Sequence, residues 1–320
     1  MGIFSMLYRK NFVHRYDDNH IIYYFAYTDF PGMVEKPVEF KTPQGLTIKG
    51  HIYSYPGEHK KDLVVFCHGL GGGHRSYMRE IECICKQGYE VLSYDIIGCW
   101  ESEGKDVRGM SEAINDLVAC LDFIYQSKEL KDRGLHIIGH SWGGYAAGNI
   151  LSYRQRNIRT ITVISGFAGL ESFAEVAYGG KLKPFKKNIL NFEKKVNPEY
   201  ALSCSVDALK NTQIKVLLIQ SKDDSMVPIS SGLEYVRSRV NNENISYVVV
   251  EGKYHNPNYT EDAVQYMGQT FGEFNQLVKE KKLKTLEQKQ AFMKEKDFMR
   301  MTEQDGDVWK KVFEMMSSEE

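Results

Sequence analysis

The chain of 320 residues has no apolar run that approaches the roughly 18 residues of a membrane-spanning helix. Its first ten residues also lack the charged, apolar and small-residue order of a signal peptide. We therefore expect a cytoplasmic protein without stable membrane insertion. The 41 basic and 42 acidic residues give a net charge of −1, a balance that argues against nucleic acid as a partner.

Cysteine is scarce, and its spacing does not fit the common metal motifs. The six cysteines fall mostly within predicted strands and helices and form no C-x-x-C pair. The pair Cys83 and Cys85 is spaced too closely for a zinc knuckle. We expect reduced thiols that pack in the core, no metal and no cofactor.

The most informative segment joins an apolar strand to a helix through a G-x-S-x-G motif at residues 139–143. Such an elbow lifts Ser141 out of the sheet, where a base can deprotonate its hydroxyl and a substrate can reach it. The pattern predicts a strand over residues 134–139 and a helix over residues 142–154. The alternative is an ordinary glycine-rich turn. Ser141 is the candidate nucleophile.

A catalytic serine needs a general base and a carboxylate that orients the base, and both are expected on loops after later strands. Asp223 and Asp224 follow one strand-like run, and His255 follows the next. Taken singly, the aspartates could form a solvated turn and the histidine could lie at the surface. In the chain order Ser141, Asp224, His255 they predict a catalytic triad.

This order differs from those of the two common serine protease folds, and over about residues 36–280 the chain resembles the α/β-hydrolase superfamily. It is most similar to the esterase, lipase and prolyl-peptidase-like branch. In that family the acid commonly precedes a proline by four positions, so Pro228 favours Asp224 over Asp223. The histidine usually follows a short glycine turn, which Gly252 matches.

Acyl transfer also needs N–H donors for the negative charge that develops on the carbonyl oxygen. One candidate is the backbone N–H of Trp142, directly after the serine. The resemblance implies the second: a turn at His68 and Gly69 would lie beside the serine and present the N–H of Leu70. His68 itself is expected to be a structural residue. The glycine-rich loop could instead cradle phosphate, although it lacks both common nucleotide-binding spacings.

The chain departs from the family pattern in two loops. Relatives often carry an Asp-x-Arg-Gly-x-Gly-x-Ser run, whereas this chain has Ile97 for the arginine and Trp100 for the second glycine. Ile97 cannot form the ionic contacts that an arginine would make there. Gln220 stands where a glycine often precedes the acid loop. Cys99, within the first loop, is expected to be a packing residue rather than a second nucleophile.

With 42% hydrophobic residues, the chain can bury one α/β domain of about 250 residues with additions. Strands and helices alternate, which predicts an α/β-hydrolase fold with a mostly parallel central sheet and helices on both faces. We divide the chain into an N-terminal arm (1–34), the hydrolase domain (35–280) with a helical cap insert at about 166–210, and a C-terminal helical extension (281–320).

Two segments add to the basic fold. Apolar residues of the insert either face the substrate or pack the insert onto the core: Phe167, Leu170, Phe173, Val176 and Tyr178. In the tail, Trp309, Val312, Phe313 and Met316 recur at helical spacing and predict an amphipathic helix. We expect this helix to fold back on the hydrolase domain, with a homo-oligomer formed through the C-terminal helices as the alternative.

Together these residues predict a serine hydrolase that cleaves small-molecule carboxylic esters through an acyl-enzyme. A peptidase or a thioesterase built on the same triad is the first alternative, because all three reactions share a tetrahedral intermediate. A hydrolase-shaped binding protein with an idle site is the second.

Overall fold

A central sheet organises the chain, of which the computed structural model describes residues 3–177 and 183–319. Its eight strands within these residues are β1 (Val34–Lys41), β2 (Thr47–Ser54), β3 (Leu63–Cys67), β4 (Glu90–Tyr94), β5 (Leu135–His140), β6 (Ile158–Ile164), β7 (Lys215–Ser221) and β8 (Ile245–Val250). They lie in the order β1-β2-β4-β3-β5-β6-β7-β8. Only the pairs β1–β2 and β2–β4 are antiparallel among these described strands.

The same residues form twelve α-helices around the sheet. They are α1 (Ile3–Phe12), α2 (Met78–Cys85), α3 (Glu112–Gln126), α4 (Trp142–Asn149), α5 (Leu170–Ala177), α6 (Lys183–Val196), α7 (Ser205–Leu209), α8 (Leu233–Arg237), α9 (Glu261–Lys279), α10 (Leu286–Lys294), α11 (Phe298–Met301) and α12 (Gly306–Ser317). None of these described helices is both long and apolar enough to cross a bilayer.

Both faces of the sheet are buried, as a parallel sheet requires. Successive side chains of a strand point to opposite faces, so neighbouring residues of β3 and β5 enter different clusters. Val65 and Ile137 belong to one core cluster, whereas Val64 and Ile138 belong to the other. The mostly parallel sheet with helices on both faces, predicted from the alternating pattern, is therefore confirmed.

The helix after Ser141 is shorter than the sequence pattern suggested. The α-helix ends at Asn149 and continues only as a 3-10 turn over Ile150–Ser152. The side-chain amide of Asn149 donates to the backbone oxygen of Tyr145 at 2.8 Å. Because that oxygen is the usual acceptor for the Asn149 backbone N–H, the side chain competes with the helix at this point.

The segment between β6 and β7 is fastened to the domain by a buried carboxylate. Glu193 of α6 accepts hydrogen bonds from the backbone N–H groups of Met110 at 2.8 Å and Ser111 at 3.1 Å. The hydroxyl of Tyr8 in α1 donates to it at 2.6 Å. Charge-assisted bonds of this kind are stronger than neutral ones, so Glu193 joins the arm, α6 and the loop before α3.

Three of the apolar insert residues pack on the core instead of opening a pocket. Phe167 and Leu170 are buried members of the main cluster, and the half-buried Phe173 packs against it. The ring of Phe167 stacks on that of Tyr145, with centroids 4.5 Å apart. Tyr178 and the side chain of Val176 lie outside the described residues.

The C-terminal helix α12 lies against the sheet. Its side chains Trp309, Val312 and Met316 are buried in the same cluster as Ile138 of β5 and Leu217 of β7. The carboxylate of Asp305 begins the helix by accepting from the N–H groups of residues 307 and 308. The apolar face that the sequence placed on this helix is therefore covered by the chain itself.

Candidate active site

The serine elbow is a strained turn between β5 and α4. Ser141 has φ 56° and ψ −113°, a conformation that a residue with a side chain rarely adopts. The turn is tight because the flanking positions carry no side chain: a Cβ at Gly139 would lie 2.2 Å from the oxygen of Gly143. A Cβ at Gly143 would lie 2.1 Å from the oxygen of Cys67. These contacts explain the glycines of the motif physically.

The loops after β7 and β8 bring Asp224 and His255 together. Nδ1 of His255 lies 2.8 Å from Oδ2 of Asp224, whose side chain is fully buried. The other carboxylate oxygen accepts from the N–H groups of Met226 at 3.0 Å and Val227 at 2.9 Å. The loop N–H groups therefore hold the Asp224 carboxylate in place. This carboxylate accepts a hydrogen bond from Nδ1–H of His255, so Nε2 is the unprotonated, basic nitrogen.

His140, the residue before Ser141, contacts His255 and so holds the histidine loop near the serine elbow. Among the described residues, no hydrogen bond joins the side chains of Ser141 and His255. Nε2 of His140 lies 2.8 Å from the backbone oxygen of His255, and the two imidazole rings are 4.8 Å apart. The hydroxyl of Ser141 is partly exposed beside them. Hydrogen bonds from a nucleophile to its base are often long in ligand-free enzymes and tighten when substrate binds.

Tyr77 and His140 form a buried relay that sequence reasoning missed. The hydroxyl of Tyr77 accepts from the N–H of Gly69 at 2.9 Å and lies 2.9 Å from Nδ1 of His140. A phenol has one proton, so it donates to Nδ1, and Nε2–H of His140 donates to the oxygen of His255. The relay thus connects the glycine-rich loop, the serine elbow and the histidine loop.

The relay requires a neutral His140, and the surroundings of its imidazole favour the neutral form. Burial, with a further contribution from the nearby His255, lowers the pKa of His140 to about 3. The imidazole therefore stays uncharged at neutral pH and can accept a hydrogen bond at Nδ1 while it donates one from Nε2. His140 occupies a variable position of the serine motif, and Tyr77 has no motif of its own, so neither carried a sequence signal.

The two candidate oxyanion donors flank Ser141. Trp142 is the first residue of α4, where a backbone N–H has no partner within the helix. The loop before Leu70 lies close by, since a Cβ at Gly69 would be 3.3 Å from Cβ of Ser141. Among the described residues, no backbone carbonyl accepts from the N–H of Leu70. Both N–H groups are therefore available to a substrate oxygen.

The carboxylate of Asp223 forms hydrogen bonds with the loop that carries His255. It accepts from the N–H of Gly252 at 3.0 Å and of Tyr254 at 3.4 Å, and from the hydroxyl of Ser221. Burial raises the pKa of Asp223, but these hydrogen bonds outweigh it and hold the pKa below its usual value. The adjacent aspartates thus have different contacts: Asp224 touches the imidazole, and Asp223 supports the loop that carries it.

The remaining sequence candidates are structural in this fold. His68 is buried and accepts from the N–H of Ile96 at 2.9 Å, and burial lowers its pKa. Burial raises the pKa of Cys99, which disfavours the reactive thiolate. Ile97, at the position where the resemblance implied an arginine, is buried. Arg15 of the N-terminal arm instead donates to the backbone oxygens of residues 100, 102 and 104.

Tyr77→Phe is expected to lower the free energy of unfolding by about 1–3 kcal/mol, because two buried polar groups lose their partner. We also expect the kcat of the folded variant for an activated ester to fall about tenfold or more, since the three loops lose their common contact. Thermal or urea unfolding and steady-state kinetics measure the two effects.

The matched control is Tyr125→Phe, which removes a phenol hydroxyl that donates to the backbone oxygen of Arg156 at 2.8 Å. This control should leave kcat unchanged. A Tyr77→Phe protein that is less stable but keeps its full kcat would show that the relay is only structural.

Comparisons with known proteins agree with the fold. A family described as alpha/beta hydrolase fold matches residues 62–195. A proline iminopeptidase from Clostridioides difficile is 32% identical over 109 residues, which are 34% of this chain and 36% of that protein. The chain thus spans about a third of the length of this curated relative. Together with the sheet order, these findings confirm the α/β-hydrolase fold that the sequence predicted.

Solved structures share the architecture at low sequence identity. An esterase from Pyrococcus furiosus aligns with a TM-score of 0.56 and 21% identity, covering 81% of this chain and 96% of that one. An acetyl xylan esterase from a Paenibacillus species aligns with a TM-score of 0.53 and 16% identity, covering 79% and 86%. An acylaminoacyl peptidase from Pyrococcus horikoshii aligns with a TM-score of 0.53 and 17% identity, covering 71% and 38%. These likenesses concern the fold.

Proposed function

We propose that the protein is a serine hydrolase of carboxylic esters that works through an acyl-enzyme. The observation that carries the proposal is the buried hydrogen bond of 2.8 Å between Asp224 and His255, held next to the strained serine elbow. A carboxylate in this position selects the imidazole tautomer whose Nε2 can accept a proton. Ser141 is then the hydroxyl from which that proton comes.

In the first half of the reaction, Oγ of Ser141 forms a bond to the substrate carbonyl carbon while His255 Nε2 takes the hydroxyl proton. Asp224 stabilises the imidazolium, and the N–H groups of Leu70 and Trp142 donate to the oxyanion. When the tetrahedral intermediate collapses, the carbon–oxygen bond to the leaving alcohol breaks, and the alcohol takes the proton from His255. The acyl group remains on Ser141.

In the second half, water replaces the alcohol. His255 takes a proton from the water as its oxygen attacks the acyl carbon, and the same N–H donors hold the second oxyanion. Collapse breaks the bond to Ser141, whose oxygen recovers its proton from His255. Each of these steps uses only Ser141, Asp224, His255 and the two backbone N–H groups.

Hydrolysis of an ester requires a catalytic triad and two oxyanion donors. Ser141, Asp224, His255 and the N–H groups of Leu70 and Trp142 are the candidates for these roles. A peptidase also needs groups that recognise the amine side of its substrate. The partial likeness to a proline iminopeptidase makes cleavage of an N-terminal prolyl amide the second candidate. Thioesters share the tetrahedral chemistry and are the third class to compare.

The test compares kcat/KM for 4-nitrophenyl acyl esters, acyl thioesters and prolyl aryl amides of similar size. We expect the esters to be turned over fastest, because 4-nitrophenolate is the least basic of the three leaving groups and needs the least protonation. Faster turnover of the prolyl amide would overturn the ester assignment in favour of the iminopeptidase.

A fluorophosphonate probe separates an enzyme from a hydrolase-shaped binding protein. Because the probe reacts only with an activated serine, we expect labelling at Ser141, located by peptide mass spectrometry. Protein that is folded but unlabelled, and inactive on all three substrate classes, would indicate an idle site.

A further inference from the structure

A second cluster of functional side chains lies on the antiparallel side of the sheet, and the proposed reaction does not use it. Glu35 comes from β1, His51 from β2 and His74 from the 3-10 turn at His74–Tyr77 that precedes α2. One ligand-capable atom of each lies within 4.8 Å of the others. His74 is buried and His51 nearly so, whereas Glu35 is half-buried. Three elements thus converge on one point.

Each imidazole of this cluster is oriented by a carboxylate on one of its nitrogens. Nε2 of His51 lies 3.0 Å from Oε2 of Glu101, and Nδ1 of His74 lies 2.9 Å from Oδ1 of Asp95. Histidines that bind metal typically have their other ring nitrogen held by a carboxylate, which fixes the tautomer and increases basicity. Nδ1 of His51 and Nε2 of His74 are therefore the nitrogens left to act as ligands.

One inner atom of the cluster, Nδ1 of His51, lacks a hydrogen-bond partner within the described part of the chain. Nδ1 of His51 is buried and has no hydrogen bond to any described residue, although Oε1 of Glu35 is only 2.9 Å away. The same oxygen of Glu35 accepts from the hydroxyl of Tyr53 at 2.9 Å, which holds the carboxylate in place. A cation that binds both this nitrogen and the neighbouring carboxylate oxygen would satisfy the nitrogen.

The charge at the cluster also favours a cation. The carboxylates of Glu35, Glu101 and Asp95 lie within 3.0 Å of the two imidazoles. Their negative charge attracts a cation to this point.

We propose that Glu35, His51 and His74 bind a divalent transition-metal ion, with Zn²⁺ as the ion that best fits two imidazoles and one carboxylate. Zn²⁺ accepts this ligand set and completes a tetrahedron with water. The ion would join β1 and β2 to the turn that follows the glycine-rich loop, so its role is structural. The ligands are far apart in sequence, and for this reason the chain showed no metal motif.

The experiment uses the full-length protein stripped of metal with EDTA and dialysed. Zn²⁺ is titrated by calorimetry, and Co²⁺ is used as a spectroscopic probe of a tetrahedral site. We expect one equivalent of Zn²⁺ to bind and to raise the melting temperature, because a ligand that binds only the folded state stabilises it.

Variants locate the bound ion. Glu35→Gln keeps the shape of the side chain and the contact with Tyr53, and we expect it to bind Zn²⁺ about 100-fold more weakly or not at all. Glu101→Gln, which alters only the outer carboxylate, should weaken binding about 10-fold to 100-fold. His20→Asn changes an exposed histidine and should bind Zn²⁺ as the wild type does. Circular dichroism confirms that each variant is folded.

Two results would overturn the metal site. One is a wild-type protein that binds no stoichiometric Zn²⁺, which would leave a proton shared among His51, Glu35 and Glu101. The other is an unchanged affinity in Glu35→Gln, which would place the ion elsewhere. The site does not depend on the proposed hydrolase activity: Ser141→Ala should bind Zn²⁺ normally, so the two proposals can fail separately.

Discussion

Replacing Ser141 by alanine is expected to lower kcat for the best ester by about 10⁴-fold to 10⁶-fold. The oxygen that attacks the carbonyl is lost, while substrate binding and the N–H donors at Leu70 and Trp142 remain. These donors account for the small activity that should persist above the uncatalysed rate. The free energy of unfolding should stay within about 1 kcal/mol of the wild type, since the side chain is partly exposed.

Ser165→Ala is the matched control for this variant. Ser165 directly follows the neighbouring strand β6, has φ 48°, and carries a buried hydroxyl without a hydrogen-bond partner among the described residues. It should retain kcat within a few-fold, because its hydroxyl has no place in the reaction. Full ester hydrolysis by purified Ser141→Ala, free of contaminating esterase, would disprove the nucleophile.

Asp224→Asn is expected to lower kcat about 10⁴-fold at neutral pH. The asparagine oxygen can still accept from the N–H groups of Met226 and Val227, so its NH₂ group would face Nδ1 of His255. Nδ1 must then accept a hydrogen bond, which moves the imidazole proton to Nε2. His255 would lose the lone pair with which it deprotonates Ser141.

A substitution of the adjacent Asp223 tests whether the expected loss comes from the lost contact with His255 or from the lost negative charge. Asp223→Asn removes the same charge one residue earlier, but Asp223 contacts the N–H of Gly252 and not the imidazole. We expect a decrease in kcat of about tenfold or less. Steady-state kinetics on both variants decides the assignment, and a larger loss in Asp223→Asn would transfer the role of the acid to Asp223.

The fold was predictable because its signals are local and repeated. Buried parallel strands give continuous apolar runs such as residues 135–138, and the serine elbow combines a strand, a helix and close-packed glycines in five residues. The order of Ser141, Asp224 and His255 then reduced the choice of topology. The parallel strands and the serine elbow could therefore be predicted from the sequence, because each depends on a short, continuous segment of the chain.

The supporting contacts were not predictable because they join residues with no common motif. Tyr77 and His140 are 63 positions apart and meet only after the glycine-rich loop has packed on the elbow. Arg15 of the N-terminal arm reaches the backbone oxygens of Ser102 and Gly104, which lie 87 and 89 positions later in the chain. Prediction from sequence relies on the spacing of hydrophobic residues, and neither of these contacts affects that spacing.

The attachment of the histidine loop to the C-terminal segment has a consequence for biosynthesis. Lys253 forms an ion pair with Asp305, and the backbone N–H of Asp305 donates to the oxygen of Asn258 at 2.8 Å. While the ribosome still holds residues 305–316, the sheet lacks the cover of α12 and the loop carrying His255 lacks this attachment. Until residues 305–316 have been released, the nascent polypeptide therefore exposes the apolar surface that α12 later covers, and the loop that carries His255 lacks its attachment to Asp305.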